Sequence, residues 1–153
     1  MDEIDLLLIK ELQKNADRTV YQLAKQLGLN KSTVYSRINK LKKDKIIKRY
    51  QAIVDYDEIG LPICAIMLVS HKKTSLKDTL GTLIQDPAVE EIRPVTGSYD
   101  LIIKARFKDM TAVSDFIFKK IGKPNISNII VNTETLISLG TYKEYFETCH
   151  PVK

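Results

Sequence analysis

Residues 21–43 read YQLAKQLGLNKSTVYSRINKLKK, a segment that holds six Lys or Arg residues and no acidic residue. Apolar residues recur in it every three or four positions, which is the period of an amphipathic helix. Gly28 interrupts the pattern, and Gly ends helices readily because the left-handed conformation costs it little. The segment is therefore predicted to form two short helices joined by a tight turn, the arrangement of a helix-turn-helix.

Polar residues at two positions mark where these helices begin. Thr19 and Gln22 form a capping box, in which each side chain satisfies the backbone amide of the other residue. Asn30 is a good N-cap for the next helix, which is predicted over residues 31–44. Residues 2–14 predict another helix ahead of both, with apolar residues around most of its circumference. A surface helix needs only one apolar face, so we expect a second copy of the chain to cover the remaining apolar residues.

The helix over residues 31–44 has an apolar face and a polar face. At about 100° per residue, Val34, Ile38 and Leu41 share one side and are expected to face the core. The other side carries short polar and cationic side chains, which suit base edges and phosphates in a DNA major groove. The predicted base contacts are Ser32, Ser36 and Asn39. The predicted phosphate contacts are Arg37, Lys40 and Lys43, with Thr33 beside them.

The flanks of this helix leave two alternatives open. Lys31 and Tyr35 are placed to reach the DNA backbone, although Tyr35 could instead pack against the preceding helix. Arg37 could hold a phosphate or form a salt bridge with an acid of the first helix.

Positive charge is confined to the first third of the chain. Residues 1–50 carry 12 Lys or Arg and 6 Asp or Glu, whereas residues 51–153 carry 12 and 13. This asymmetry predicts a module that binds a polyanion, joined to a near-neutral module. A solvated lysine-rich surface would give the same count, so charge alone does not decide.

The remaining residues predict an α+β arrangement. Residues 45–54 are rich in β-branched residues and predict a strand, which would either make the helix-turn-helix winged or connect it to the next domain. Beyond a hinge at Gly60 and Pro62, the order β-α-β-β-α-β specifies a ferredoxin-like sandwich. Its strands are predicted over residues 62–70, 89–96, 99–107 and 126–139. Pro94 favours an edge position for the second strand.

The predicted domains are a helix-turn-helix domain over residues 1–50, a linker over residues 51–61 and a ferredoxin-like domain over residues 62–153. A four-stranded sheet with both helices on one face leaves its other face uncovered. Two such sheets packed together would bury that face, so a homodimer is expected.

Several classes of protein are disfavoured. The longest apolar run, residues 63–69, is far shorter than the roughly 20 residues of a membrane span. Cys64 and Cys149 predict free thiols in a reducing cytoplasm, with no metal or other cofactor. The sequence contains no nucleophile-and-base pattern and no phosphate-binding loop, so an enzyme is not predicted. A free-standing amino-acid-binding module with an incidental basic domain is a rival that charge does not exclude.

The whole chain resembles the Lrp/AsnC transcriptional regulators, also called feast/famine regulatory proteins. The resemblance rests on DEIDLLLIKELQKNADRT at residues 2–19, QLAKQLGLNKSTVYSRINKLKKDKIIKRYQAIVD at residues 22–55 and VTGSYDLIIKARFKD at residues 95–109. It implies a cytoplasmic, nucleoid-associated prokaryotic protein that binds double-stranded DNA. It also implies dimers that assemble to octamers and an amino-acid effector bound to the C-terminal domain.

The resemblance carries over residue by residue. Five residues match the family's recognition helix: Ser32, Thr33, Ser36, Arg37 and Lys40. Gly97, Tyr99 and Asp100 match its Gly-x-Tyr-Asp motif, at a turn that lines an effector pocket between dimers. Asp44 and Lys45 depart from the Glu-Gly that is common in the family, so this helix end lacks an easy left-handed stop.

An effector amino acid would place its ammonium group near Asp100 and its carboxylate near the amides of Gly97 and Ser98. Hydroxyls on the last strand could complete the site, from Thr133, Thr135 and Ser138. The alternative is a chromatin-organising DNA-binding protein without an effector, in which Gly97 and Asp100 serve only the hairpin.

Overall fold

The computed structural model describes residues 1–72 and 76–142, apart from the side chains of residues 76–79 and 125. The chain divides into two compact units, residues 1–53 and residues 54–141. The first unit is helical and the second combines a sheet with helices, which confirms the predicted α+β class. Within the described residues, no helix is both long and apolar enough to span a membrane.

Three helices form the first unit: α1 (Glu3–Lys14), α2 (Val20–Leu27) and α3 (Lys31–Lys43). The predicted capping box at Thr19 and Gln22 is present, and Gly28 ends α2 with a left-handed φ of 65°. Asn30 occupies the N-cap position of α3 without a side-chain capping hydrogen bond. The predicted helix-turn-helix is therefore confirmed.

The core of the first unit is built from one stripe of each helix. The three apolar residues predicted to face inward from α3 are all buried, and Val34 is fully inaccessible. Val34 and Ile38 pack with apolar side chains of the other two helices, namely Leu8, Leu12, Leu23 and Ala24. Burying a side chain of this size contributes roughly 1.5–3 kcal/mol, so this stripe fixes which side of α3 faces solvent.

A buried carboxylate links α1 to α2. Glu11 is only 7% exposed and accepts hydrogen bonds from Lys14 Nζ (2.9 Å), from Gln26 Nε2 (2.6 Å) and from Arg18. The hydrogen bond from Lys14, followed by those from Gln26 and Arg18, holds the pKa of Glu11 below its ordinary value although burial opposes this. Glu11 is thus charged and paired at neutral pH.

The strand predicted over residues 45–54 is wrong. These residues turn as far as Ile47 and then continue without regular structure, with Tyr50, Ile53 and Val54 exposed. A strand needs a neighbour to receive its backbone hydrogen bonds, and no strand of the described chain pairs with this segment. The helix-turn-helix consequently lacks the predicted wing.

The second unit contains a four-stranded antiparallel sheet with the strand order β2-β3-β1-β4. Its strands are β1 (Ile63–His71), β2 (Val89–Pro94), β3 (Leu101–Phe107) and β4 (Ile130–Ile137), and α4 (Leu76–Ile84) follows β1. The βαββαβ order is confirmed, and β2 lies at the sheet edge as Pro94 predicted. The last predicted strand begins four residues late, because Pro124–Ser127 instead form a short helix, α6, which buries Ile126 completely.

One face of the sheet carries the core. Met67 of β1 and Ile103 of β3 pack there with Leu83 of α4. The helix after β3 starts as α5 (Met110–Asp115) and widens to a π-helical segment over Phe116–Ile121. Phe116 of this segment meets Phe107 edge to face, with ring centroids 5.3 Å apart.

Alternate residues of the central strands point to the opposite face, which no helix of the described chain covers. Ile66, Leu68 and Ile102 lie there half-buried, and Leu136 is 45% exposed. This group of four is called the apolar sheet patch below.

Charged side chains continue this open face at the β2–β3 end. Lys104 Nζ and Arg106 Nε lie 3.1 and 3.3 Å from Glu90 carboxylate oxygens. The Arg106 guanidinium also sits 4.0 Å from the ring centroid of Tyr56, and a hydrogen bond to Glu90 raises the pKa of Tyr56.

The end of α3 provides a test of local strain. Lys45 adopts a left-handed φ of 57°, and the amide of Ile46 donates to the carbonyl of Leu41 (2.9 Å). Lys45→Gly should stabilise the protein by about 1 kcal/mol, because a residue with a Cβ is disfavoured in this conformation. Urea unfolding followed by helical circular dichroism measures the change.

Lys45→Ala is the matched control, since it removes the same charge and keeps the Cβ. An equal gain from both variants would show that the lysine charge, and not the backbone conformation, is the source of strain.

Candidate DNA interface and effector turn

The solvent-facing side of α3 is short, polar and cationic. Seven of its predicted DNA contacts are exposed, namely Lys31, Ser32, Tyr35, Ser36, Asn39, Lys40 and Lys43. The helix has basic residues in its last turn and no acidic residue in its first turn. Thr33 is half-buried at the edge of this surface. The arrangement presents hydrogen-bonding groups and positive charge on one accessible helix face.

The hydroxyl of Ser36 has a defined orientation. Ser36 Oγ donates to the carbonyl of Thr33 at 3.0 Å, so its proton is engaged within the helix. The lone pairs of Oγ remain as hydrogen-bond acceptors for a donor in solution. Amino groups of cytosine and adenine are such donors in the major groove.

Aromatic residues border the start of α3. Tyr35 is 61% exposed, so it does not bury itself against α2, and Tyr21 of α2 is 57% exposed. The ammonium group of Lys31 lies 4.5 Å from the ring centroid of Tyr21, which holds this cation at the helix start. Sequence reasoning missed Tyr21, because helical periodicity does not say which exposed residue of α2 meets α3.

Arg37 lies away from this surface and is paired with α1. Its Nη1 donates to Asp2 Oδ2 (2.7 Å), Asp2 Oδ1 (2.8 Å) and Asp5 Oδ1 (2.8 Å). The Asp5 backbone amide and then Arg37 hold the pKa of Asp2 below its ordinary value, and the same carboxylates raise the pKa of Arg37. Of the two roles open to Arg37, the isolated chain adopts the salt bridge.

In the second unit, the predicted effector turn connects β2 to β3. Gly97 has a φ of 124°, which a residue with a side chain rarely adopts. Ser98 accepts a hydrogen bond on its carbonyl from Ser70 Oγ (3.1 Å), and Asp100 Oδ2 accepts one from the His71 amide (2.9 Å). The turn is thereby attached to the end of β1.

Tyr99 extends the turn towards β4. Its hydroxyl donates to Glu134 Oε2 at 2.7 Å, and this hydrogen bond raises the pKa of Tyr99. Glu134 therefore adds a carboxylate beside Tyr99, at the middle of β4 and in register with Leu68 of β1. Sequence reasoning missed Glu134, since a strand's register against its neighbour is not encoded in its own pattern.

The hydroxyls predicted on β4 do not join this group. Thr133 and Thr135 are paired with Val69 and Met67, so they share the core face of the sheet and not the face of Glu134. The Ser138 amide donates to the carbonyl of Cys64, at the far end of β1 from the turn. Within one chain, Gly97, Ser98, Tyr99 and Asp100 are adjacent, whereas Ser138 is remote from them.

Both units match domains of known proteins. Residues 1–42 match the AsnC-type helix-turn-helix domain, and residues 63–148 match the Lrp/AsnC ligand binding domain. A fold with these two parts defines a DNA-binding transcriptional regulator that also carries a ligand-binding domain. The chain belongs to the Lrp/AsnC family, whose members are transcriptional regulators and not enzymes.

Individual relatives agree over nearly the full length. The HTH-type transcriptional regulator FL11 of Pyrococcus horikoshii is 32% identical over 153 residues, covering 100% of this chain and 97% of the relative. The solved structure of Escherichia coli AsnC has a TM-score of 0.80 at 27% identity, covering 94% of this chain and 95% of that one. A Neisseria meningitidis transcriptional regulator solved with L-methionine has a TM-score of 0.89 at 23% identity, covering 96% and 95%.

Proposed function

We propose that this chain is a sequence-specific regulator that acts as a homodimer or a larger closed assembly, such as an octamer, and is modulated by an amino acid. The observation that carries the proposal is the exposed, polar and cationic face of α3, set on a buried apolar stripe. The regulator works on double-stranded DNA in the nucleoid of a prokaryotic cytoplasm, and needs no cofactor.

The proposed reading of DNA divides the exposed face of α3 by chemistry. Base edges are read by short side chains that approach closely: Ser32, Ser36 and Asn39. Phosphates are held by Lys40 and Lys43, while Lys31, Thr33 and Tyr35 support the register from the flanks. All of these side chains are exposed except Thr33, which is half-buried at the edge of the surface. Their accessibility supports the proposal that they contact DNA.

Two single changes test this division. Lys43→Ala should weaken binding to every duplex and lower the slope of log K against log salt by about 0.9, the value for one lost phosphate contact. Ser36→Ala should leave that slope unchanged and alter discrimination between duplexes by roughly 1–3 kcal/mol. Fluorescence anisotropy on a selected duplex and on random-sequence DNA measures both.

Lys119→Ala is the matched control for lost charge, since Lys119 lies in the second unit and pairs with Asp115 at 2.8 Å. An equal loss from Lys43→Ala and Ser36→Ala on all duplexes would contradict the assignment.

Self-association is proposed through the open face of the sheet. The apolar sheet patch supports this proposal, because contiguous apolar side chains exposed on a sheet face usually mark an interaction surface. Glu90 and Arg106 at its border supply both signs of charge, so two copies of the face can meet without uncompensated repulsion.

Leu68→Lys places a charge within the apolar sheet patch and should convert the assembly to monomers at micromolar concentration, measured by sedimentation velocity. Burying this ammonium group opposes association even though Glu134 is its cross-strand neighbour, because removing a charged pair from water is costly. Phe118→Lys is the control, since Phe118 is 75% exposed on the π-helical segment, outside this patch. An assembly that survives Leu68→Lys but not Phe118→Lys would move the interface to the helical side.

The amino-acid effector is proposed to bind at the turn of residues 97–100. The ammonium group would lie near Asp100, with Glu134 close by, and the carboxylate near the amides of Gly97 and Ser98. Two observations support this: the turn carries the Asp100 carboxylate and its Tyr99 contacts the Glu134 carboxylate, and a regulator of the same fold was solved with L-methionine. Thr133, Thr135 and Ser138 can contribute only from a neighbouring copy or after rearrangement.

Asp100→Asn tests the effector site. Asn keeps an oxygen to accept the hydrogen bond from His71 and loses the charge that attracts an ammonium group. Calorimetry with the twenty amino acids should find a ligand for the wild type and at least about tenfold weaker binding by the variant. Asp86→Asn is a control for lost charge, because Asp86 pairs with Lys120 away from the turn.

Unchanged binding by Asp100→Asn would place the effector elsewhere. No binding by the wild type at millimolar concentration would favour the chromatin-organising alternative, a DNA-binding protein without an effector.

A further inference from the structure

We propose that Arg37 is a positioning residue, which holds the recognition helix α3 against the start of α1 and does not contact DNA. This inference rests on the proposed DNA-binding function and reassigns one residue that the sequence placed on a phosphate. On this inference Asp2 and Asp5 contribute to DNA binding through Arg37, although neither of them contacts DNA.

The pairing is specific and partly shielded from solvent. One nitrogen of Arg37, Nη1, makes all three hydrogen bonds to the two carboxylates, at 2.7–2.8 Å. The Asp5 side chain is 9% exposed and the Arg37 side chain 27%, whereas Asp2 is 54% exposed. The inner contact is therefore far less screened by water than an ordinary surface pair.

The two carboxylates that accept hydrogen bonds from Arg37 are held in place by contacts of their own. Asp2 and Asp5 form the capping box of α1, in which the Asp5 amide donates to Asp2 Oδ1 and the Asp2 amide donates to Asp5 Oδ2, each at 3.0 Å. These hydrogen bonds fix both carboxylates and bring two like charges together. Arg37 pairs with both carboxylates, so its removal leaves the buried Asp5 carboxylate without its cation.

The location of Arg37 on α3 disfavours a phosphate contact. At about 100° per residue, Arg37 lies roughly 120° around the helix from the centre of the face that carries Ser32, Ser36 and Lys43. Two carboxylates and one guanidinium leave one excess negative charge in the cluster. A DNA phosphate brought to this place would have to displace these carboxylates from the guanidinium.

The two possible roles of Arg37 give effects of opposite sign when Asp5 loses its charge. If Arg37 positions α3, Asp5→Asn removes the anchor and weakens DNA binding. If Arg37 binds a phosphate, Asp5→Asn releases it from a competitor and removes a negative charge, so binding tightens.

Fluorescence anisotropy measures this sign with a duplex that the wild-type chain selects from random DNA, over a series of salt concentrations. Asp5→Asn and Arg37→Gln should each bind DNA about fivefold more weakly than the wild type. The double variant should bind at least as tightly as the single variant with the lower affinity, because the effects of two residues in contact do not add. The slope against log salt should stay at the wild-type value in all three. Glu3→Gln, in the same helical turn, is the control for lost charge.

Circular dichroism ensures that each variant retains its helices at the assay temperature. If Asp5→Asn does not fold, the exposed Asp2→Asn replaces it, with the same expected sign. Tighter binding by either acid variant than by Glu3→Gln, or a slope lowered by about 0.9 in Arg37→Gln, would overturn the inference. A wild type that selects no duplex would instead contradict the proposed function itself.

Discussion

The burial of one narrow stripe of α3 is the constraint on which the first unit depends. Val34, Ile38 and Leu41 cannot leave the core without exposing apolar surface, so the opposite side of the helix must face solvent. Hydrophobic packing is non-directional, however, and tolerates small rotations of a helix. The hydrogen bonds from Arg37 to Asp2 and Asp5 are directional. On the inference above, they restrict the rotation of α3 that apolar packing alone would permit.

The second unit follows the same principle on a larger scale. Its helices cover one face of the sheet, and the core forms there around Met67 and Ile103. The opposite face retains an apolar patch that the described residues of one chain do not fully bury. Under the proposed self-association, the stability of the second unit and its assembly would depend on this same surface.

Local signals in the sequence predicted most of the fold, and the failures are non-local. Capping residues such as Thr19, the stop at Gly28 and the periodicity of α3 act within a few residues, so the helix-turn-helix was predictable. The strand over residues 45–54 failed because pairing depends on a distant partner. For Arg37 the sequence offered a salt bridge to an acid of the first helix as one of two roles, but it did not name Asp2 or Asp5. The hydrogen bond between Tyr99 and Glu134 was missed. The contacts of Arg37 with Asp5 and of Tyr99 with Glu134 join residues more than 30 positions apart, and local periodicity does not determine them.

A crystal structure of the protein with its selected duplex tests the central claim most directly. We expect α3 to lie in the major groove, with Ser32, Ser36 and Asn39 within hydrogen-bonding distance of base edges. We also expect Arg37 Nη1 to remain on Asp2 and Asp5. A complex in which α3 lies outside the groove, or in which Arg37 has left the two carboxylates for a phosphate, would contradict the account.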